Sequence, residues 1–349
     1  MNRLTTKETL RNAVLSSTGT VYLVWILVLT GGATITALAG RGFFTPGNIS
    51  DLLTSTTVLG LVVIGQTLVI LLGSLDLSVP FVLSLSSVLA AGVMAGNSAN
   101  FAAGVSTALL AAVCIGLVNG VLVGLVKING FIATLGTGLI ASGYLFTNYR
   151  GSTGKAAPEL AAIGSATLGV VPWTTIGMAI CLVAVGLLLN KTRTGLHIYA
   201  VGGDASVARM SGIRSAVPAL MAHALSGLFA GLAGLVIVAR LGVGSPEVGT
   251  QGGYDLLSIA AVVVGGAVLA GGRGSIWGSL GGILVFATID SVLGIMEVNP
   301  YLKEVVRGLI IIAAVAVYAS RNRIMRPARF GPQRPAVTAT EPMEGGGTR

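Results

Sequence analysis

The sequence predicts an all-α polytopic membrane protein with about ten transmembrane helices. Hydrophobic residues make up 53% of the 349 residues, and charged residues make up only 9%. A soluble globular chain carries roughly 25% charged residues, so a soluble protein of this size would lack the polar residues that cover its surface. The 51 glycines and the low aromatic fraction of 5% favour closely packed membrane helices.

Apolar runs that are long enough to cross a bilayer divide the chain into its parts. A helical span requires about 20 mostly apolar residues. We expect residues 1–19 to form a cytoplasmic segment, residues 20–320 the transmembrane domain, and residues 321–349 a basic and then disordered cytoplasmic tail. The predicted spans, of which the eighth is short and glycine-rich, are 20–40, 52–72, 77–96, 102–126, 130–148, 167–189, 217–240, 255–272, 276–297 and 303–319.

Basic residues predict the orientation of these spans. Lysine and arginine concentrate in alternate connecting segments, such as those that contain Lys127, Lys191, Arg209 and Arg273. Because cytoplasmic loops carry an excess of lysine and arginine, we expect these segments, and both termini, to lie in the cytoplasm. The net charge of +9 is therefore interpreted as a topology signal and not as a nucleic-acid-binding surface.

Two short sequence matches suggest an internal repeat. An Asp-Leu pair opens both the third span, at 75–77, and the eighth span, at 254–256. A Gly-Leu-Ile motif lies at 138–140 in the fifth span and at 308–310 in the tenth. The two matches are offset by five spans, an odd number, so the halves of the domain are expected to have inverted topology.

The sequence lacks the common catalytic motifs. It contains no G-x-x-x-x-G-K-[ST] phosphate-binding loop, no H-E-x-x-H and no G-x-S-x-G. We therefore expect no catalytic residue, no cofactor and no metal ion in this chain, and ATP binding by a P-loop is excluded. Of its two histidines, His223 lies inside a span and is expected to be a packed, hydrogen-bonded residue rather than a proton relay.

Few polar side chains lie within the predicted spans. They are Gln66, Asn119, His223 and Asp290, and each requires a partner or water in hydrocarbon. Proton-driven carriers usually have charged residues in several spans, whereas Asp290 is the only clear carboxylate well inside a span here. This pattern favours a conduit that is driven from outside the chain, with a stand-alone secondary transporter as the alternative.

The longest predicted inner loop, at about 190–216, contains a short amphipathic helix. Asp204 is expected to cap a helix over 205–211, and Gly212 is expected to end it. Such a helix could seat in a groove of another protein or lie on the lipid surface. The residues that we expect to form this element comprise a glycine hinge, a cap, an apolar face and a charge, namely Gly202, Gly203, Asp204, Val207, Ala208, Arg209, Met210 and Gly212.

Five motifs resemble those of the permease subunits of sugar-type ABC importers, the ribose permease family, which is related to the branched-chain amino-acid permeases. The motifs occur in the family's order and the resemblance extends over most of residues 50–320. They are GSLDLSV at 73–79, GLVNG at 116–120, GFIATLG at 130–136, the loop at 199–213 and GGRGSIWG at 271–278. The chain departs from the family pattern at Pro80, where glycine is usual, and at Asp290, where an uncharged residue such as asparagine is usual.

The resemblance implies a fold similar to that of cobalamin-type importers, in a bacterial inner membrane. It also implies three partners: a second permease copy, a separate ATPase subunit with a P-loop, and a periplasmic sugar-binding protein. The segment 202–213 then resembles the coupling helix that docks onto the ATPase. The implied function is uptake of a ribose-like monosaccharide or polyol, with a branched-chain amino acid as the alternative. Candidate residues of the substrate path are Gln66, Asp76, Asn119, Phe131 and Asp290.

Overall fold

The computed structural model describes residues 17–310 and 312, and this part of the chain is predominantly helical. The predicted boundaries of the tail at 321–349 lie outside the described residues. The helices are α1 Ser17–Leu38, α2 Pro46–Leu71, α3 Val79–Met94, α4 Phe101–Gly124, α5 Gly130–Asn148, α6 Pro158–Ser165, α7 Trp173–Lys191, α8 Arg193–Gly203, α9 Ala205–Met210, α10 Ala216–Leu241, α11 Val248–Gln251, α12 Tyr254–Val264, α13 Ile276–Ile295 and α14 at 300–310.

Seven of the described helices are long and apolar enough to cross a membrane, which confirms the predicted all-α membrane class. These are α1, α2, α4, α5, α7, α10 and α13, with α4 extended by a 3₁₀ turn at Ser98–Asn100. The sixth span starts later than predicted, because the short strands β1 Thr167–Leu168 and β2 Val171–Pro172 form a hairpin before α7. The count of ten spans stays a prediction.

The predicted third and eighth spans do not form full-length helices. Helix α3 has 16 residues and α12 has 11, and both are apolar. The expected span at 255–272 is wrong at its end, because α12 stops at Val264 and a glycine-rich turn follows. Glycine and small apolar residues have the hydropathy of a span even where the backbone turns, so hydropathy alone could not detect these breaks.

The loops gather at two ends of the helical bundle. At one end, Lys127 Nζ donates to Ser215 Oγ at 3.0 Å, and we name this the inner end. At the other, the outer end, Thr153 N donates to Gly244 O at 2.8 Å and Gly96 N to Lys155 O at 3.0 Å. This grouping is the one predicted from the charges, since the segments expected in the cytoplasm share the inner end.

Helices α3 and α12 both begin inside the bundle. After α10 ends at the outer end, the chain runs back along α3, so that Gly249 of α11 packs against Pro80 in the first turn of α3. From there α12 runs towards the inner end, whereas α3 runs towards the outer end, where Ala91 contacts Gly154. Two broken helices of opposite direction are the arrangement that an inverted repeat predicts.

Close packing of glycine against backbone joins α4 to α10, the helix at the centre of the bundle. A Cβ atom at Gly116 would overlap the carbonyl oxygen of His223, and one at Gly120 would lie 2.7 Å from Leu220 Cα. The close helix packing expected from the glycine content is therefore confirmed here, and it lets the two backbones approach closely where lipid gives no hydrophobic driving force.

We predict that Gly116→Ala destabilises the protein by about 1–3 kcal/mol, because the added methyl group forces α4 away from α10. The matched control is Gly143→Ala in α5, where a Cβ atom would meet nothing within 4 Å. Alanine has the higher helix propensity, so the control is expected to be neutral or more stable by up to about 1 kcal/mol. Thermal unfolding in detergent measures both, and equal unfolding temperatures for the two variants would contradict the prediction.

Candidate functional site

Three chain segments meet backbone to backbone at the inner end. Gly272 N donates to Leu71 O at 2.9 Å, and a Cβ atom at Gly202 would overlap that same oxygen. A Cβ atom at Gly271 would lie 2.7 Å from Gly73 Cα. We name Gly73, Gly202, Gly271 and Gly272 the glycine junction. It joins the ends of α2 and α8 to the turn after α12, so these elements can move only together or by breaking the contact.

Helix α9 follows the glycine junction and has the predicted cap. The Oδ1 atom of Asp204 accepts hydrogen bonds from Ser206 N at 2.8 Å and from Val207 N at 3.1 Å. The side-chain hydrogen bond from Ser206 and the backbone amides lower the pKa of Asp204, so the cap stays ionised. Gly212 has a φ of +82° beyond the helix end. The expected cap and stop are confirmed, and α9 is one residue shorter than the predicted 205–211.

The apolar side chains of α9 divide between two faces. Val207 is 56% exposed and Met210 is 88% exposed, and Arg209 is exposed as well. Ala208 is 3% exposed and packs in the hydrophobic core. The expectation that Ala208 belongs to the outward apolar face is therefore wrong, because consecutive helical residues point about 100° apart. Ala208 anchors α9, while Val207 and Met210 project from the inner end.

A buried polar cluster lies where α3 begins. Asp76 is 1% exposed, and its Oδ1 atom accepts from Ser78 Oγ at 2.6 Å. Asn119 Nδ2 donates to Ser78 Oγ at 2.9 Å, and Thr137 Oγ1 donates to Asn119 Oδ1 at 2.6 Å. We name Asp76, Ser78, Asn119 and Thr137 the Asp76 cluster. It ties the start of α3 to α4 and α5 by side-chain hydrogen bonds.

His223 of α10 lies beside this cluster. Its Nε2 atom is 3.2 Å from Ser74 Oγ, and its Nδ1 atom is 4.0 Å from Asp76 Oδ2. His223 is thus buried and hydrogen-bonded through Nε2 as expected, and the expectation that it is not a proton relay stays a prediction. From the sequence alone, Asp290 was the only clear carboxylate expected well inside a span. Asp76 is buried more completely, because residues 72–78 turn back into the bundle between Gly73 and Pro80.

Only two of the five predicted path residues lie together. Asp76 and Asn119 share the Asp76 cluster. Gln66 is fully buried in α2, and its side-chain amide has no hydrogen-bond partner among the described residues. Phe131 is 48% exposed in the first turn of α5. Ser78 and Thr137 were missed as members of the cluster, since hydroxyl side chains in an apolar helix give no signal of their partners.

Asp290 belongs to a second polar site in the outer half. Its Oδ1 and Oδ2 atoms accept from Arg307 Nε and Nη2, each at 3.0 Å, and Arg307 Nη1 donates to Glu304 Oε1 at 2.6 Å. The side chains of Asp290 and Arg307 are 25% and 19% exposed. Arg307 lies inside the predicted tenth span, 303–319. An arginine inside the predicted tenth span was the available signal for a carboxylate partner.

Comparison with known proteins identifies relatives over most of the chain. Residues 48–315 match the family model described as branched-chain amino acid transport system / permease component. The chain is 36% identical over 307 residues to the ribose import permease protein RbsC of Bacillus subtilis, covering 87% of this chain and 93% of that protein. No solved structure matches.

Two further relatives come from Escherichia coli K12. The ribose import permease protein RbsC is 37% identical over 300 residues, covering 84% of this chain and 92% of that protein. The D-allose transport system permease protein AlsC is 33% identical over 300 residues, covering 86% of this chain and 90% of that protein. The chain therefore belongs to the family described as branched-chain amino acid transport system / permease component, and its relatives include permeases named for ribose and D-allose.

Proposed function

We propose that the chain is the translocation subunit of an ABC importer that brings a monosaccharide into the cell by alternating access. ATP hydrolysis belongs to a separate P-loop subunit, a periplasmic binding protein delivers the sugar, and two permease copies form the channel with both termini in the cytoplasm. Relatives named for ribose, D-allose and L-arabinose support this substrate class. The observation that carries the mechanism is α9, which projects exposed apolar side chains from the inner end.

A continuous chain of contacts leads from α9 to the start of α3. Gly202 precedes the cap of α9 and packs against Leu71 at the end of α2. Ser74 directly follows Gly73 of the glycine junction, and its hydroxyl contacts His223, beside Asp76. Because the first of these contacts are between backbones, a displacement of α9 by a docked ATPase is transmitted to the ends of α2 and α8 rather than absorbed by flexible side chains.

The rival function is a secondary transporter that works without an ATPase. We predict that this chain, reconstituted alone, does not accumulate D-ribose in vesicles under a proton or sodium gradient. With its ATPase subunit and binding protein, ATP is expected to drive accumulation. Radiolabelled uptake measures both conditions. Gradient-driven accumulation by the chain alone would contradict the proposed function.

We predict that Val207→Asp uncouples ATP hydrolysis from transport. The charge lies on the exposed face that the ATPase is proposed to contact, so it disfavours an apolar interface without disturbing the core. Substrate-stimulated ATPase activity is expected to fall at least tenfold, with an unchanged unfolding temperature. Val207→Thr, which keeps the shape of the side chain and adds no charge, is the control. Equal stimulation in Val207→Asp and the wild type would contradict docking through α9.

We predict that Asn119→Ala destabilises the protein by about 1–3 kcal/mol, because Ser78 and Thr137 each lose a buried hydrogen-bond partner. The matched control is Asn148→Ala, since Asn148 is exposed and donates only to Tyr144 O within its own helix. Thermal unfolding in detergent compares the two variants. An equal effect of both substitutions would show that the Asp76 cluster does not hold the start of α3.

A further inference from the structure

The ion pair of Asp290 and Arg307 stands where three cavities meet in the outer half. Asp290 and Arg307 both line a cavity of about 290 Å³, with Ser55, Arg240 and Tyr254 among its other polar lining residues. Asp290 also lines a cavity of about 470 Å³, and Arg307 also lines one of about 170 Å³. The pair is thus reachable from several sides, unlike a salt bridge that only fastens two helices.

The larger cavity opens the pair towards the outer end. Its lining includes Asn48 and Asp51 near the start of α2 and Ile295 at the end of α13. Asp51 has a side chain that is 79% exposed. A solute that enters between these residues would meet Asp290 before any residue of the Asp76 cluster, which lies deeper towards the inner end.

The pair keeps unused hydrogen-bonding capacity. A guanidinium group has five N–H donors, and Arg307 directs two to Asp290 and one to Glu304, which leaves two. Each carboxylate oxygen of Asp290 accepts one bond from Arg307 and can accept another. The opposite charges compensate each other. The pair itself therefore carries no net charge, and the other arginine that lines the cavity, Arg240, is 39% exposed and lies 4.0 Å from Asp51.

This arrangement selects for a neutral ligand with many hydroxyl groups. Adjacent hydroxyls can each donate to Asp290 and accept from Arg307 while the ion pair stays intact. A zwitterionic amino acid could bind this pair only if the pair's two charges separated, so that the ligand's carboxylate binds Arg307 and its ammonium group binds Asp290. Separating a partly buried ion pair is costly, so the closed pair disfavours such a ligand.

The position in the fold agrees with a ligand site. Tyr254 is the first residue of α12, the broken helix that starts inside the bundle, and it lines the same cavity as Asp290 and Arg307. Transporters commonly place their substrate sites at the starts of discontinuous helices. Apolar side chains, including Val58 and Leu257, complete the lining, which is the usual composition of a small-molecule pocket.

We propose that Asp290 and Arg307, with Ser55 and Tyr254, form a subsite for a neutral polyhydroxylated solute that is entered from the outer end. This rests on the proposed function in one respect: the solute is the cargo of the importer. The subsite gives the permease its own weak preference for polyols over amino acids, in addition to any selection by a binding protein.

The test is binding of D-ribose to the purified full-length chain in lipid nanodiscs, measured by saturation-transfer difference NMR with L-leucine as the comparison ligand. Wild type is expected to bind D-ribose in the millimolar range and L-leucine at least tenfold more weakly. Asp290→Asn is expected to weaken D-ribose binding at least tenfold. Glu297→Gln is the control, because Glu297 pairs with Arg41 at 3.2 Å at the outer end and lines none of the three cavities.

A second variant keeps the proposal testable if Asp290→Asn fails to fold. Ser55→Ala combined with Tyr254→Phe leaves the ion pair in place and removes two hydroxyls from the cavity lining, with an expected loss of at least threefold in D-ribose affinity. Unchanged D-ribose binding in the folded variants, or tighter binding of L-leucine than of D-ribose, would overturn the subsite.

The subsite and the proposed function fail in different ways. ATP-driven D-ribose uptake by the wild type, together with D-ribose binding to the purified chain that Asp290→Asn leaves unchanged, would overturn the subsite and leave the importer function standing. D-ribose binding that depends on Asp290, without ATP-driven uptake by the wild-type chain and its partners, would support the subsite and overturn the function.

Discussion

Every backbone polar group in the hydrocarbon layer must find its partner within the protein, and the two broken helices make this requirement severe. At the start of α3, the amides of the first residues have no helical partner. Leu77 N instead donates to Thr134 Oγ1 at 3.0 Å, and Ser78 N donates to Asp76 Oδ1 at 3.0 Å. Opposite them, Gly249 N donates to Ser84 Oγ at 3.0 Å. Buried polar residues such as Ser74, Asp76, Ser78 and Thr134 therefore lie where the helix is interrupted.

This requirement links structure to transport. A continuous apolar helix offers a solute nothing to bind, because its backbone groups are all used. An interrupted helix needs polar side chains nearby for its own stability, and those side chains also line any cavity at the interruption. Asp76, Ser78 and Asn119 are at most 1% exposed, whereas Asp290 and Arg307 remain partly exposed near the start of α12. Polar side chains thus stabilise the interruption before α3 from buried positions. Near the start of α12, the polar side chains stay accessible to a ligand.

Glycine supplies the second constraint, because the segments beside the interrupted helices α3 and α12 must approach the segment before α9 closely. The glycine junction brings the ends of α2 and α8 within backbone contact of the turn after α12. Side chains at these positions would hold the segments apart and leave their carbonyl groups unpaired. The high glycine content that first suggested membrane packing therefore has a local role at the inner end as well.

Much of this architecture could be predicted from the sequence, and what could not has a common physical cause. Hydropathy identified most spans, and local capping chemistry identified α9 from Asp204 to Gly212. The end of α12 was missed because the glycine-rich turn after Val264 is as apolar as a helix. The burial of Ala208 and the pairing of Asp290 with Arg307 were missed for another reason. Both depend on which helices become neighbours in the fold, and a local sequence pattern carries no information about contacts between distant segments.

In the proposed cycle, α2 is the barrier between the outer cavities and the inner end that transport has to open. Residues 60–71 are all buried, which corresponds to roughly 17 Å of helix. Gln66 lies in the middle of this stretch, and none of the described residues satisfies its amide by a hydrogen bond. A buried unpaired amide costs about 1–3 kcal/mol, a cost that disappears when polar partners or water reach it. In the proposed cycle, Gln66 thus raises the free energy of the closed arrangement and makes opening of the barrier easier.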